Sequence, residues 1–421
     1  MPVEISAIWI AIVGNMLLAG LASFIGVLAY LQKRSLTADA VSHAALPGIC
    51  IAYLIVGHKD FASLSLGAFA SGLAALWLIG RLSRGNATKS DTAIALSLTT
   101  FFALGIFLLT QIQHQANGSQ SGLDAFLFGK AATLLERDLF TYLIFGFCAL
   151  AITLIAYKPI LFTLFDEAYL RSAGFPTRLF KGLASGLLIV AVLLGIQSVG
   201  VVLMAALLIT PVSAALFFSR ANRQIILIAF VFGVGGGLGG TLLSYFTEGV
   251  PTGPAVVVSL SLMAGLSALL APQRGIVAKW WRRQAHQLKV DSENALKAVY
   301  LYQERTSSSH TSVFSPADRI FDAFSPRRKR IVFTKLKAQK QITAVGTAYT
   351  LTALGLTEAM RIVRLHRLWE IYLTNEAGIA PDHVHDDAES LEHLITPEIE
   401  QRLEALLNYP QLDPHQKQIP R

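Results

Sequence analysis

Cysteine is nearly absent: the 421 residues hold two, Cys50 and Cys148. They can build neither a disulfide framework nor a CxxC metal knuckle. Both lie inside apolar runs, where a thiol is expected to be buried and inert. Charge is also scarce, at 15% of residues against 53% hydrophobic, with a mean hydropathy of +0.52. A typical soluble domain carries about 25% charged residues, so an ordinary soluble protein is excluded. No GxxxxGK[ST] loop occurs, so the chain lacks that route to ATP hydrolysis. A cleavable leader pattern is missing too: the first apolar run, 7–31, is too long for a signal core and is followed by Lys33 and Arg34.

What is present falls into two unlike parts. Up to about Pro272 long apolar runs alternate with short polar connections, and beyond Arg274 the chain turns polar. A helix needs about 20 apolar residues to cross a bilayer. Runs of that kind lie at 7–31, 41–57, 61–82, 91–112, 138–157, 179–197, 199–219, 224–246 and 252–271. The sixth and seventh nearly touch, so eight or nine transmembrane helices are expected. Lys33/Arg34, Arg81/Arg84/Lys89, Lys158/Arg171/Arg178/Lys181, Arg220/Arg223 and Arg274/Lys279 occupy every second connection. Lysine and arginine collect in cytoplasmic loops, which places the N-terminus outside and the polar C-terminal part in the cytoplasm. Much of the +8 formal charge lies in Arg274–Lys340 and points to anionic lipid, nucleic acid or both.

Ionisable side chains at membrane depth are costly and few. Asp39 and His43, four apart, share a helix face and could hold one cation, or Asp39 could cap the second helix while His43 bonds a neighbour. Asp91 opens another span. The glycine run Gly233–Gly240 reads as close helix packing, and His58 and His114 read as solvated loop residues.

Asp39-Ala-Val-Ser-His-Ala-Ala-Leu-Pro-Gly48 resembles the second-helix signature of permeases in zinc, manganese and iron ABC importers. Asp91-Thr-Ala-Ile94, Leu127-Phe-Gly129, Phe165-Asp-Glu, Ala173-Gly174, Val199-Gly-Val, Ala205-Ala-Leu-Leu, Pro211 and Pro251-Thr-Gly-Pro254 follow in the family's order, and the likeness covers about 1–275. It implies a multi-pass protein of the bacterial cytoplasmic (inner) membrane, with no enzymatic activity of its own. Expected partners are an ABC ATPase subunit, a periplasmic or lipoprotein metal-binding protein, and a second permease copy or paralogue. It also implies that Asp39, His43 and Asp91 lie on the transport pathway of Mn²⁺, Zn²⁺ or Fe²⁺. Phe165, Asp166, Glu167 and Gly174 would belong to the segment that docks on the ATPase.

In the tail, Lys279-Trp-Trp-Arg-Arg283 suits a lipid–water interface, making 276–290 an interfacial linker. Glu293–Tyr302 reads as a helix, Thr306–Thr311 as a loop, Ser315–Phe324 and Pro326–Lys340 as helices, and Ala344–Thr357 as β-rich with turns at Gly346 and Gly355. That is a winged-helix order over 291–355, with a helical segment over 356–421. Arg327, Arg328, Lys329, Arg330, Lys335 and Lys337 make the third helix basic, fit for DNA phosphates or simply solvated. His366 and Glu370 share one helix face, as do Glu389, Glu392 and His393. Such mixed N/O donors suit Mn²⁺, Fe²⁺ or Zn²⁺, though i,i+4 pairs on a charged surface have the same spacing.

Residues 291–396 resemble the diphtheria-toxin-repressor and manganese-transport-regulator family, above all in Leu356-Thr-Glu, His366-Arg-Leu-Trp-Glu370, Val384-His385-Asp-Asp and Glu392-His393. The resemblance implies a metal-binding and dimerisation domain with His366, Glu389, Glu392 and His393 as ligands and Glu370 and His385 in a second site. The metal would then be effector as well as cargo. The chain departs from the pattern on its first tail helix, where the family has ligands and this chain has Asn294 and Lys297. The expected whole is therefore an all-α polytopic membrane domain with a cytoplasmic winged-helix and metal-binding tail. That tail would respond to metal, only dimerise or gate, or act as a tethered or released repressor.

Overall fold

The computed structural model describes residues 2–31, 35–58, 60–83, 89–114, 129, 131, 134–165, 167–306, 313–376, 393 and 397–420. The chain divides into two compact units, Met1–Lys279 and Trp280–Arg421.

The first unit is built of helices α1 (Pro2–Leu31), α2 (Ser35–Val56), α3 (Phe61–Leu82), α4 (Ser90–His114), α5 (Glu136–Ile155), the short α6 (Tyr157–Phe165) and α7 (Glu167–Ser172), then α8 (Thr177–Val199), α9 (Val201–Leu216), α10 (Asn222–Phe246) and α11 (Thr252–Leu270). Among the described residues, eight helices are long and apolar enough to cross a membrane. The seventh expected span, 199–219, is α9, with 16 residues, about 24 Å at 1.5 Å per residue. It follows α8 across the single residue Gly200, whose φ of 88° lies where glycine is at ease. Helix α2 begins six residues before the expected 41, because Thr37 and Asp39 depress the local hydropathy without interrupting the helix.

Small residues let these helices approach closely. A Cβ on Gly237 would stand 2.5 Å from the Asn15 carbonyl oxygen of α1, and one on Gly240 would overlap the Val256 backbone of α11. The glycine run is therefore packing surface. Gly48 and Gly67 face each other where α2 crosses α3, and a Cβ on either would collide with the other's carbonyl oxygen. Gly48→Val is expected to cost about 3 kcal/mol or more, since backbone rather than a flexible side chain blocks it. Loss of the monodisperse peak in detergent chromatography would report it, and a wild-type profile would refute this crossing. Cys50 is buried as expected, but Cys148 is exposed. It lies on the outward face of α5 beside exposed Ile144 and Phe147, a face whose natural solvent is lipid.

Helix α12 (Ile276–Arg305), which belongs to the second unit from Trp280 onward, is one helix of 30 residues where a linker followed by a helix was expected. Its buried face, including Ala295, Leu296 and Val299, packs with Phe321, Val332, Phe333, Leu336, Ile342 and Val363. The expected helix over 315–324 is a single 3-10 turn, Arg319–Phe321. Phe314 instead pairs in extended form with Tyr349, each N–H donating to the other's carbonyl at 2.8 Å. The basic helix is α13 (Pro326–Ala338), capped by the Ser325 hydroxyl accepting from the Arg328 N–H. Strands β1 (Ile342–Val345) and β2 (Ala348–Leu351) form an antiparallel wing around Gly346, whose φ is 63°. Gly355 is not a turn but lies in the first helical turn of α14 (Ala353–Asn375), donating its N–H to the Thr352 hydroxyl at 3.1 Å. Helix α15 (Pro397–Leu406) follows.

Candidate functional site

Helix α2 carries Asp39 and His43 one turn apart, with Oδ1 and Nε2 separated by 3.3 Å. Asp39 is the fifth residue of α2 and so cannot be its cap. The His43 ring meets Phe102 of α4 edge-on at 4.6 Å between centroids. Its Nδ1 is buried with no hydrogen-bond partner, and the two side chains keep 12% and 29% exposure for His43 and Asp39. A carboxylate and an imidazole on one helix face, one of them still open, form the beginning of a hard-to-borderline cation site. Asp91 is exposed in the first turn of α4, where a carboxylate favours the positive helix end.

In the tail, α12 meets two further clusters. His393 Nδ1 lies 2.7 Å from Glu293 Oε2, both side chains nearly buried. His366 Nε2 lies 3.2 Å from Glu370 Oε1 in α14, and His366 Nδ1 lies 3.0 Å from Nζ of Lys297. The first pair fits a divalent cation by donor type. The second does not, because an ammonium stands against its imidazole. His385, Glu389 and Glu392 lie outside the described residues. No group of three or more potential ligands occurs among the described residues. Glu293 was missed from sequence, where Asn294 and Lys297 were the aligned positions. One residue is about 100° around a helix, enough to exchange a buried position for its neighbour.

Residues 4–271 match the family model of the ABC 3 transport family. The chain belongs to that family. Residues 352–421 match a second model, the iron dependent repressor metal binding and dimerisation domain. The manganese transport system membrane protein MntC of Bacillus subtilis is 35% identical over 405 residues, 95% of this chain and 91% of the relative. The zinc transport system membrane protein TroC of Treponema pallidum is 35% identical over 273 residues, 65% of this chain and 92% of the relative. Among solved structures, PsaBC of Streptococcus pneumoniae in complex with Fab has a TM-score of 0.55 at 29% identity, covering 63% of this chain and 91% of that one.

In this permease, Phe165 ends α6 and Glu167 opens α7, while Asp166 lies outside the described residues. Gly174 closes α7 with a φ of 83°. The Phe175 N–H donates to the Leu170 carbonyl and the Gly174 N–H to the Arg171 carbonyl, each at 3.1 Å, a Schellman ending that requires the left-handed residue. The turn leaves Tyr169 and Phe175 exposed at 62% and 49%, an aromatic surface on an otherwise small helix.

The basic helix splits into two faces. Arg328 pairs with Asp291, and Lys329 lies 3.6 Å from Asp322. Lys335 is half-buried, and that burial pushes its ammonium below the usual lysine range. Arg327, Arg330 and Lys337 are exposed, and their spacing puts them on one side of α13.

Proposed function

We propose that this permease moves a divalent transition metal inward across the bacterial cytoplasmic membrane, with Mn²⁺ and Zn²⁺ ahead of Fe²⁺. The observation that carries the reading is the Asp39–His43 pair on α2, with a buried His43 nitrogen that has no hydrogen-bond partner. Two oxygen- and nitrogen-donor side chains at membrane depth suit these ions and disfavour soft Cu⁺. The manganese and zinc transport relatives support the same choice. Energy would come from an ATPase subunit docking near Tyr169 and Phe175, with metal delivered by an external binding protein. A second permease copy or paralogue would complete the path. The N-terminus would lie outside and the tail inside.

Vesicles holding the permease with its ATPase and binding protein are expected to accumulate radioactive Mn²⁺ or Zn²⁺ only when ATP is supplied. A cysteine at position 118 should label from outside and one at 308 should not. Equal accumulation with and without ATP, for all three metals, would reject the reading.

A second reading concerns the tail alone. Arg327, Arg330 and Lys337 on one exposed face support contact with a phosphate polymer, DNA before lipid, since Pro326–Ala338 is followed by a wing.

A further inference from the structure

Lys297 belongs to the buried face of α12 and is 6% exposed. On one side of the His366 ring its Nζ is 3.0 Å from Nδ1, and on the other side Nε2 is 3.2 Å from Oε1 of Glu370. His366 and Glu370 are themselves 5% and 3% exposed. An ammonium only donates hydrogen bonds, so Nδ1 accepts and the ring proton sits on Nε2, aimed at Glu370. A neutral imidazole has one lone pair, and here the lysine occupies it. The result is a row of cation, neutral ring and anion inside the tail. A divalent ion bound through His366 would need that lone pair. It would also face a fixed positive charge where little water screens the repulsion.

We propose that the Lys297 ammonium is a resident cation of the tail. It joins α12 to α14 through His366 and Glu370 without any metal, so this half of the repressor-type domain is permanently assembled rather than switched. Metal response, where the tail has any, is left to the Glu293–His393 pair. The inference goes beyond transport and stands apart from it, since loss of uptake in a pathway variant would not touch it.

Hydrogen exchange on the full-length permease tests it, read on amides of 359–373, the helix that carries His366 and Glu370 and not Glu293, with and without saturating Mn²⁺. Wild-type protection of this segment is expected to change by less than about twofold on adding Mn²⁺. Lys297→Arg should keep that behaviour, because it keeps a donor cation. Lys297→Asp should exchange about tenfold faster without metal and recover protection when Mn²⁺ is added, the cation now coming from solution. Wild-type protection that rises about tenfold with Mn²⁺ would overturn the proposal. So would Lys297→Asp that stays as protected as wild type without metal, or that Mn²⁺ fails to restore while Lys297→Arg is folded.

Discussion

Uptake of Mn²⁺ or Zn²⁺ is expected to fall by about a hundredfold or more when Asp39→Asn is combined with His43→Ala, because outer-sphere changes alone cost metal sites 10–100-fold. Asp39→Asn removes the only formal negative charge of the pair and keeps its shape. His43→Ala removes the nitrogen donor. Neither change should unfold the membrane unit. The edge-on packing of His43 against Phe102 contributes about 0.5–1.5 kcal/mol, and Asp39 is partly exposed. Protein levels and detergent behaviour should therefore match wild type while uptake disappears. His43→Gln, which retains hydrogen bonding with a weaker donor, should fall between. Wild-type accumulation by the double variant would remove Asp39 and His43 from the pathway.

The second large effect is expected at Arg367, which is 3% exposed in α14. Its guanidinium donates to Glu304 Oε2 at 2.6 Å and Oε1 at 3.2 Å, to the Gln418 carbonyl, and stands 3.5 Å from Asp413 Oδ2. One side chain thus ties the end of α12, the middle of α14 and the C-terminal segment together. Asp413 is 2% exposed at its side chain. Backbone N–H groups of His415 and Lys417 reach its Oδ1 at 2.8 Å each. Arg367→Ala would leave that buried carboxylate without its cation, a loss of about 3–5 kcal/mol. The tail's melting transition should drop by on the order of 10 °C, and proteolysis after Arg305 should accelerate. Arg367→Lys should recover part of the loss, since it restores charge but not the planar fork. Arg367→Met with Asp413→Asn should recover more than Arg367→Ala alone. Unchanged melting and proteolysis in Arg367→Ala would show that the cluster contributes no stability.

Membrane helices were legible because hydropathy is a local sum: each run of about 20 apolar residues announces itself without reference to the rest of the chain. Positions 41–57 came out short only because Thr37 and Asp39 sit in the first turns of α2. The wing was legible from Gly346 between β-prone residues. The 315–324 segment was misread as a helix because its apolar residues have helical spacing, whereas Phe314 is drawn into extended pairing by Tyr349, 35 positions away.

By itself, the sequence determined the class of molecule, the order of its spans and the helix faces on which Asp39/His43 and His366/Glu370 stand, since all of these depend on residues within a few turns of one another. Tertiary structure decided what those faces meet. It set Glu293 rather than Asn294 against His393, and brought Lys297 to His366 across 69 positions. It also turned Arg328 and Lys329 inward to Asp291 and Asp322 while leaving Arg327, Arg330 and Lys337 outside. The physical reason is angular. Each helical residue turns the side chain by about 100°, so the partner of a buried charge depends on how two distant helices are rotated against each other, and no local pattern encodes that rotation.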